Sequence, residues 1–228
     1  MKSALPLDAI ERTTLNELAY DRLKRAILAG RIEQGMTMTL RQLAAELGTS
    51  MMPVREAVTR LSAEQALQVI PNRGIRIPAL SAAEEDDLWR LRINLEGEAT
   101  AQAARHASAA ERAQITTLCT ALNEALVAGE LHDLLECNSA YQFAIYQAAH
   151  SPLSLHIIEM LRMRGVPLCT AALRRMLAEK PPYFEKTAAY HEAIAAAITT
   201  GDARTARRIK REDLKELRAL VKAEGART

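Results

Sequence analysis

The chain has 228 residues, 49% of them hydrophobic and 25% charged, with a formal net charge of +2. That is enough apolar content for one or two proper cores and argues for two domains rather than a disordered chain. No apolar run reaches the ~18 residues that span a bilayer, and Met1-Lys2-Ser3-Ala4-Leu5-Pro6 lacks the apolar stretch of a secretory signal, so no membrane partner and a cytoplasmic location are expected. Cys119, Cys137 and Cys169 are odd in number and widely spaced, which argues against a disulfide framework or a paired-cysteine metal knuckle and predicts three buried thiols. Up to Pro78 there are 11 basic and 8 acidic residues, and after it 19 and 20. So small a basic surplus attracts phosphate weakly, and specific binding to DNA would call for a second copy of the domain, hence a homodimer.

In chain order, residues 1–13 read as a flexible arm. Leu15, Leu18, Ala19, Leu23, Ala26 and Ile27 then mark a first helix ending near Gly30. Leu40, Leu43, Ala44 and Leu47 recur along one helix face, with Thr39 and Gln42 as a capping box and Gly48 as the stop. After Thr49, the set Val54, Ala57, Val58 and Leu61 predicts a further helix, with Ser50 placed to cap it and Pro53 confined to its first turn. Leu67 and Val69, then Ile75 and Ile77, alternate around Asn72-Arg73-Gly74 and predict a short hairpin. The sum is a winged helix-turn-helix domain over residues 14–78, whose partner is double-stranded DNA.

A recognition helix enters the major groove by its N-terminal end, which nominates Ser50, Met51, Met52, Pro53 and Arg55. A guanidinium bonds two acceptors of guanine or clamps a phosphate, so Arg55 is the strongest candidate, against the alternative of a surface ion pair with Glu56. Arg41 lies near the start of the preceding helix, where backbone N–H groups also favour phosphate. Arg73 and Gly74 at the hairpin tip are placed for the neighbouring minor groove, or else Arg73 is simply solvated.

Residues 79–81 form the predicted linker, and 82–228 read as an all-helical domain with Ser81–Glu84 and Ser108–Glu111 as capping boxes. The expected helices are 82–106, 109–128, 131–149, 153–164, 167–178, 184–199 and 203–223. The fold class is therefore mainly α: a winged helix-turn-helix followed by an antiparallel bundle of six or seven helices. Five polar residues interrupt apolar stripes on four of these helices, namely Arg92, Asn138, Gln142, His191 and Asp213. Polar groups inside a bundle are costly without partners, so their convergence predicts a chamber for a small carboxylate held by Arg92. The competing expectation is that each is satisfied privately, as Arg92 would be by Glu96 four residues on.

Three segments also carry a family resemblance: Ala26-Ile27-Leu28-Ala29-Gly30-Arg31-Ile32, Leu43-Ala44-Ala45-Glu46-Leu47-Gly48-Thr49-Ser50, and Pro53-Val54-Arg55-Glu56-Ala57-Val58-Thr59-Arg60-Leu61. They resemble GntR-type transcription regulators. Arg92-Ile93-Asn94-Leu95-Glu96 and His191-Glu192-Ala193-Ile194 with Gly201-Asp202 resemble the FadR-like branch, whose helical (FCD-type) domain binds an effector and makes the dimer. The resemblance implies DNA contact by Arg41, Ser50, Arg55 and Gly74, a short palindromic operator, and repression relieved or set by a small organic acid. Met51 stands where the family commonly has a basic residue, and it cannot donate to guanine, so the operator is expected to differ from the common family palindrome. The branch often holds a divalent metal at positions that match Asn138, Gln142, His191 and Asp213. Only His191 keeps its type, and neutral amides are poor ligands for zinc or nickel, so no metal cofactor is expected, with a weak site on His191 and Asp213 as the alternative. A constitutive DNA-binding dimer and a helical enzyme fused to a DNA-binding module are the other classes considered. The second finds neither a nucleophile elbow nor a phosphate-binding glycine loop to support it.

Overall fold

The computed structural model describes residues 14–71 and 73–225, so the predicted arm at 1–13 lies outside the described residues. Helix α1 (Leu15–Leu28) starts at a Thr14–Glu17 capping box, and helix α2 (Leu40–Glu46) at the predicted Thr39–Gln42 box. Helix α3 (Met51–Ala63) has Ser50 as its N-cap residue, but the Ser50 side chain makes no capping hydrogen bond. Leu23, Ile27, Leu43, Val54, Val58, Leu61, Ile75 and Ile77 form the core of this part. Leu15 and Leu18 do not join it, contrary to the sequence expectation, and stand exposed. The helix buries Ala19, Tyr20, Leu23 and Ile27 instead, and the Tyr20 hydroxyl, donating to the Glu64 carboxylate at 2.9 Å, fixes which face turns inward.

Strands β2 (Gln68–Ile70) and β3 (Gly74–Arg76) form the predicted hairpin. Strand β1 (Thr37–Met38) was not expected, because two residues are too few to show alternation. It pairs with the free edge of β3, Thr37 opposite Arg76 and Met38 opposite Ile75, giving the order β1-β3-β2. Gly74 has φ +108°, and a Cβ there would lie 2.1 Å from the Met38 carbonyl oxygen. Only glycine lets β3 pass so close to β1.

The rest of the chain is a bundle of α4 (Ala82–His106), α5 (Ala109–Ala128), α6 (Leu131–Gln147), α7 (Pro152–Glu179), α8 (Pro182–Thr200) and α9 (Ala203–Gly225). Both predicted capping boxes are present. The two helices expected at 153–164 and 167–178 are one, so the described bundle has six helices, the smaller of the two counts expected. Pro167 removes one helical hydrogen bond, but Gly165, Val166, Pro167, Cys169 and Thr170 are all buried. A helix wrapped on every side is held by its neighbours through a proline that would break an exposed one.

Helix α7 touches both parts of the molecule. Met163 is buried in the core of the winged part, with Met160 and Phe143 packed against it. Lys24 pairs with Glu159 at 2.5 Å, and Arg31 with Glu136 at 2.7 Å. Gly30 comes close enough to the bundle that a Cβ on it would meet Leu135 at 2.9 Å. Replacing Gly74 by alanine forces a residue with a side chain into a left-handed conformation against Met38 and is expected to cost about 1–3 kcal/mol. Urea denaturation followed by circular dichroism measures this, and an unchanged midpoint would show that the β1–β3 approach is slack.

Candidate functional site

All six bundle helices wall one interior cavity of about 60 Å³. The five polar residues read from the sequence, Arg92, Asn138, Gln142, His191 and Asp213, all line it. Arg162, Lys210, Tyr183 and Thr187 complete its polar surface, and Leu122, Leu126, Leu134, Leu173 and Leu217 are among its apolar walls. Convergence and private satisfaction are therefore both present, because the same residues that face the cavity also bond to one another.

The network is centred on Glu96, which is completely buried behind the cavity wall. Arg92 Nε donates to Glu96 Oε1 at 2.8 Å, Arg162 Nη1 to Oε2 at 3.3 Å, and Lys210 Nζ lies 3.8 Å from Oε2. The Tyr146 hydroxyl also donates to this carboxylate. Burial would raise the Glu96 pKa, yet the Arg92, Arg162 and Lys210 cations outweigh it and hold the carboxyl down to about 2. Burial likewise opposes the charge on Arg92, and Glu96 more than compensates, raising that pKa above its ordinary value. Lys210 donates to Gln142 Oε1 at 2.7 Å, and Gln142 Nε2 donates to Asn138 Oδ1 at 3.3 Å. Asp213 Oδ1 accepts from the Tyr183 hydroxyl at 2.8 Å while Oδ2 faces Lys210 at 3.8 Å.

His191 Nδ1 lies 3.0 Å from Asn123 Oδ1. Desolvation, together with nearby Lys210, pushes its pKa down to about 4 against the pull of Asp213. The ring is thus neutral near pH 7, and with Nδ1–H donating to Asn123, Nε2 is left as an acceptor. Arg92 Nη1 and Arg162 Nε are buried with no hydrogen-bond partner. The Arg92 guanidinium fits because Gly165 has no side chain, since a Cβ there would lie 2.8 Å from Nη1.

These residues do not fit a divalent metal. The family positions supply Asn138, Gln142, His191 and Asp213, and a lysine ammonium already stands among them, bonded to the Gln142 oxygen a metal would need. Among the described residues, no group of three or more His, Cys, Asp and Glu is arranged to hold a metal ion. The remaining histidines, His106, His132, His150 and His156, are exposed and outside the cavity. Of the cysteines, Cys119 and Cys169 are buried as expected, whereas Cys137 is only half-buried.

The nucleic-acid candidates cluster at the start of α3 and on the hairpin. Met51 and Met52 are 46% and 68% exposed and stand side by side at the start of α3. Arg41, Ser50, Arg55 and Arg73 are exposed, and Gly74 is half-buried in β3. Pro53 is buried beside Val54, so its ring packs inward.

Sequence reasoning missed Glu96 as the hub, and also Arg162, Lys210 and Tyr146. Lys210 was findable, because it lies four residues after Ala206 and three before Asp213 on the buried stripe of α9. Arg162 continues the stripe Ile158, Arg162, Gly165, Val166 and Cys169, which the expected helix break at Gly165 to Pro167 obscured.

A winged helix-turn-helix joined to an all-helical bundle defines a class of two-domain DNA-binding regulator. Residues 15–77 match the model of bacterial regulatory proteins of the gntR family, and residues 87–224 match that of the FCD domain. The chain belongs to the gntR family of transcription regulators, with an FCD domain. It is 30% identical over 145 residues to the HTH-type transcriptional regulator McbR of Escherichia coli (strain K12), a stretch covering 64% of this chain and 66%, just under two thirds, of that one. The solved structure of E. coli McbR/YncC superposes with a TM-score of 0.83 at 25% identity, covering 93% of this chain and 99% of that one. A probable D-xylose utilization operon transcriptional repressor of Paenarthrobacter nicotinovorans is 27% identical over 195 residues, 85% of this chain and 82% of that one.

His191 yields a pH prediction. Its pKa is about 4 when folded and 6.5 in the unfolded chain, so unfolding takes up a proton between those values. Stability from this group is complete above pH 6.5 and falls as the pH drops towards 4, by about 3 kcal/mol in all. Urea denaturation at successive pH values should show this slope in the wild type and a shallower one in His191→Gln. Equal slopes would place the titration elsewhere.

Proposed function

We propose that the protein is a homodimeric, ligand-responsive transcription regulator that works as a repressor in the cytoplasm. A small organic acid bound in the cavity sets its operator affinity. The observation that carries this reading is the position of two consecutive residues of α7. Arg162 faces the cavity, and Met163 is buried in the core of the winged part. Phe143 extends the same connection, since it packs against the cores of both parts and lies under the Arg162 guanidinium at 5.5 Å. A ligand that draws Arg162 to a new position moves the surface on which α1 rests. An effector that favours one arrangement shifts operator affinity by its difference in binding to the two. The helical domain on this reading binds its ligand without transforming it.

DNA contact is assigned to Ser50, Met51, Met52 and Arg55 at the start of α3, to Arg41 on α2, and to Arg73 and Gly74 on the wing. Because the Ser50 hydroxyl does not cap α3, it and the first-turn N–H groups are left for a phosphate. Met51 and Met52 offer apolar contact to thymine methyl groups. The repressor assignment follows the name of the P. nicotinovorans relative. A pocket that had decayed in a constitutive binder would not keep ten buried polar or charged residues, most of them on its walls or directly behind them.

The test begins with operator sites selected by the full-length protein from a pool of random double-stranded DNA. Arg55→Ala is expected to weaken binding to the selected site by about 1–3 kcal/mol in fluorescence anisotropy, with the fold intact by circular dichroism. Unchanged affinity would remove Arg55 from the contact set. Arg92→Lys, which keeps a cation beside Glu96, should keep operator affinity and weaken the response to a panel of small carboxylates. If the response is undiminished, Arg92 holds the bundle together and does not bind the effector.

A further inference from the structure

The residues around the cavity carry an unbalanced charge. Arg92, Arg162 and Lys210 are cationic, while Glu96 and Asp213 are anionic, leaving one positive charge in excess inside the bundle. Glu96 does not line the cavity, whereas all three cations do. The single deep carboxylate is thus shared among three cations whose residues also line the cavity. Two of their donors, Arg92 Nη1 and Arg162 Nε, are buried without a hydrogen-bond partner. An uncompensated charge in a desolvated site is expensive, and a bound anion is the simplest remedy.

Lys210 makes the arrangement specific. Its ammonium lies among Gln142 Oε1 at 2.7 Å, Glu96 Oε2 at 3.8 Å and Asp213 Oδ2 at 3.8 Å, a set of oxygens around one fixed cation. It leaves no place for a divalent ion and supplies a positive charge of its own. We propose that Lys210 and Arg92 together form a built-in cationic seat for one carboxylate, so that the cavity takes amphipathic monocarboxylic acids without a metal. The excess of one charge matches one carboxylate and leaves a second unpaired in a dry site. The wall leucines Leu122, Leu126 and Leu134 receive the hydrocarbon part, and Asn138 and His191 Nε2 offer neutral polar contact. Burial depresses the Lys210 pKa against the pull of Glu96 and Asp213. A seated carboxylate would offset that penalty.

This inference rests on the cavity's being the effector site and is tested separately from it. Thermal unfolding of the full-length wild type, at constant ionic strength, would be measured against unbranched monocarboxylates of two to six carbons. Their primary amides, the dicarboxylates of equal length, and zinc chloride with and without EDTA complete the set. At least one monocarboxylate should raise the melting temperature saturably and bind ~10–100-fold more tightly than its amide or its dicarboxylate, as loss of a charge-assisted contact implies. Zinc should give no EDTA-reversible shift. In Lys210→Gln the acid-to-amide preference should fall ~10-fold or more, and Lys210→Arg should restore it. If Lys210→Gln does not fold, the wild-type comparison still decides. Equal binding of acid and amide, preference for the dicarboxylate, stabilisation only with zinc, or no shift by any monocarboxylate overturns the seat. Operator binding in the presence of the preferred acid separates the two readings. A bound acid that leaves operator affinity unchanged keeps the seat and overturns the regulatory role, whereas a neutral compound that changes operator affinity does the reverse.

Discussion

One buried carboxylate organises this molecule. Glu96 has no solvent, and its charge persists only because α4, α7 and α9 each bring a cation to it and α6 brings a tyrosine hydroxyl. Replacing such a cluster with well-packed apolar residues is often neutral for stability, but removing a single partner leaves a bare charge in the interior. The cluster therefore fixes how four helices sit relative to one another far more strictly than their leucines and alanines do. The shape of the cavity in front of it follows from that constraint.

The same cluster lies next to the contact between the two parts of the chain. Arg162 belongs to the Glu96 network, and its neighbour along the helix belongs to the core of the winged part. Phe143 bridges the two from α6, and the salt bridges Lys24–Glu159 and Arg31–Glu136 flank it. Exposed ion pairs such as the latter contribute little, so the coupling rests chiefly on packed side chains. On the proposed reading, a displacement at the cavity is carried along this packing to the winged part.

Local chemistry made most of the architecture legible in the sequence. Capping boxes at Thr39, Ser81 and Ser108 and the apolar stripes of α2 to α6 placed helices within a few residues, because those features act within one or two turns. What depended on distant partners was not legible. Strand β1 exists only because β3 offers it an edge, and Pro167 sits inside a helix only because neighbours enclose it. The exposure of Leu15 and Leu18 likewise depends on where Tyr20 is anchored. The cavity shows the same division. Polar residues that break an apolar stripe betrayed five of its members, whereas Lys210 and Arg162 passed for ordinary surface cations beside Arg211 and Arg164. A charged side chain looks alike in sequence whether it is solvated or paired with a residue on a distant helix.

The adjacency of Arg162 and Met163 also limits how this scaffold can acquire new specificities. Substitutions on the α7 wall change the cavity and the seam with the winged part at once, so a variant that reads a new molecule there is prone to lose its output. Walls supplied by α5 and α8, such as Leu122, Leu126 and Thr187, border the cavity without reaching that seam. On the proposed reading they are the surfaces on which recognition can drift while transmission is preserved, and an engineer seeking a new biosensor would begin there.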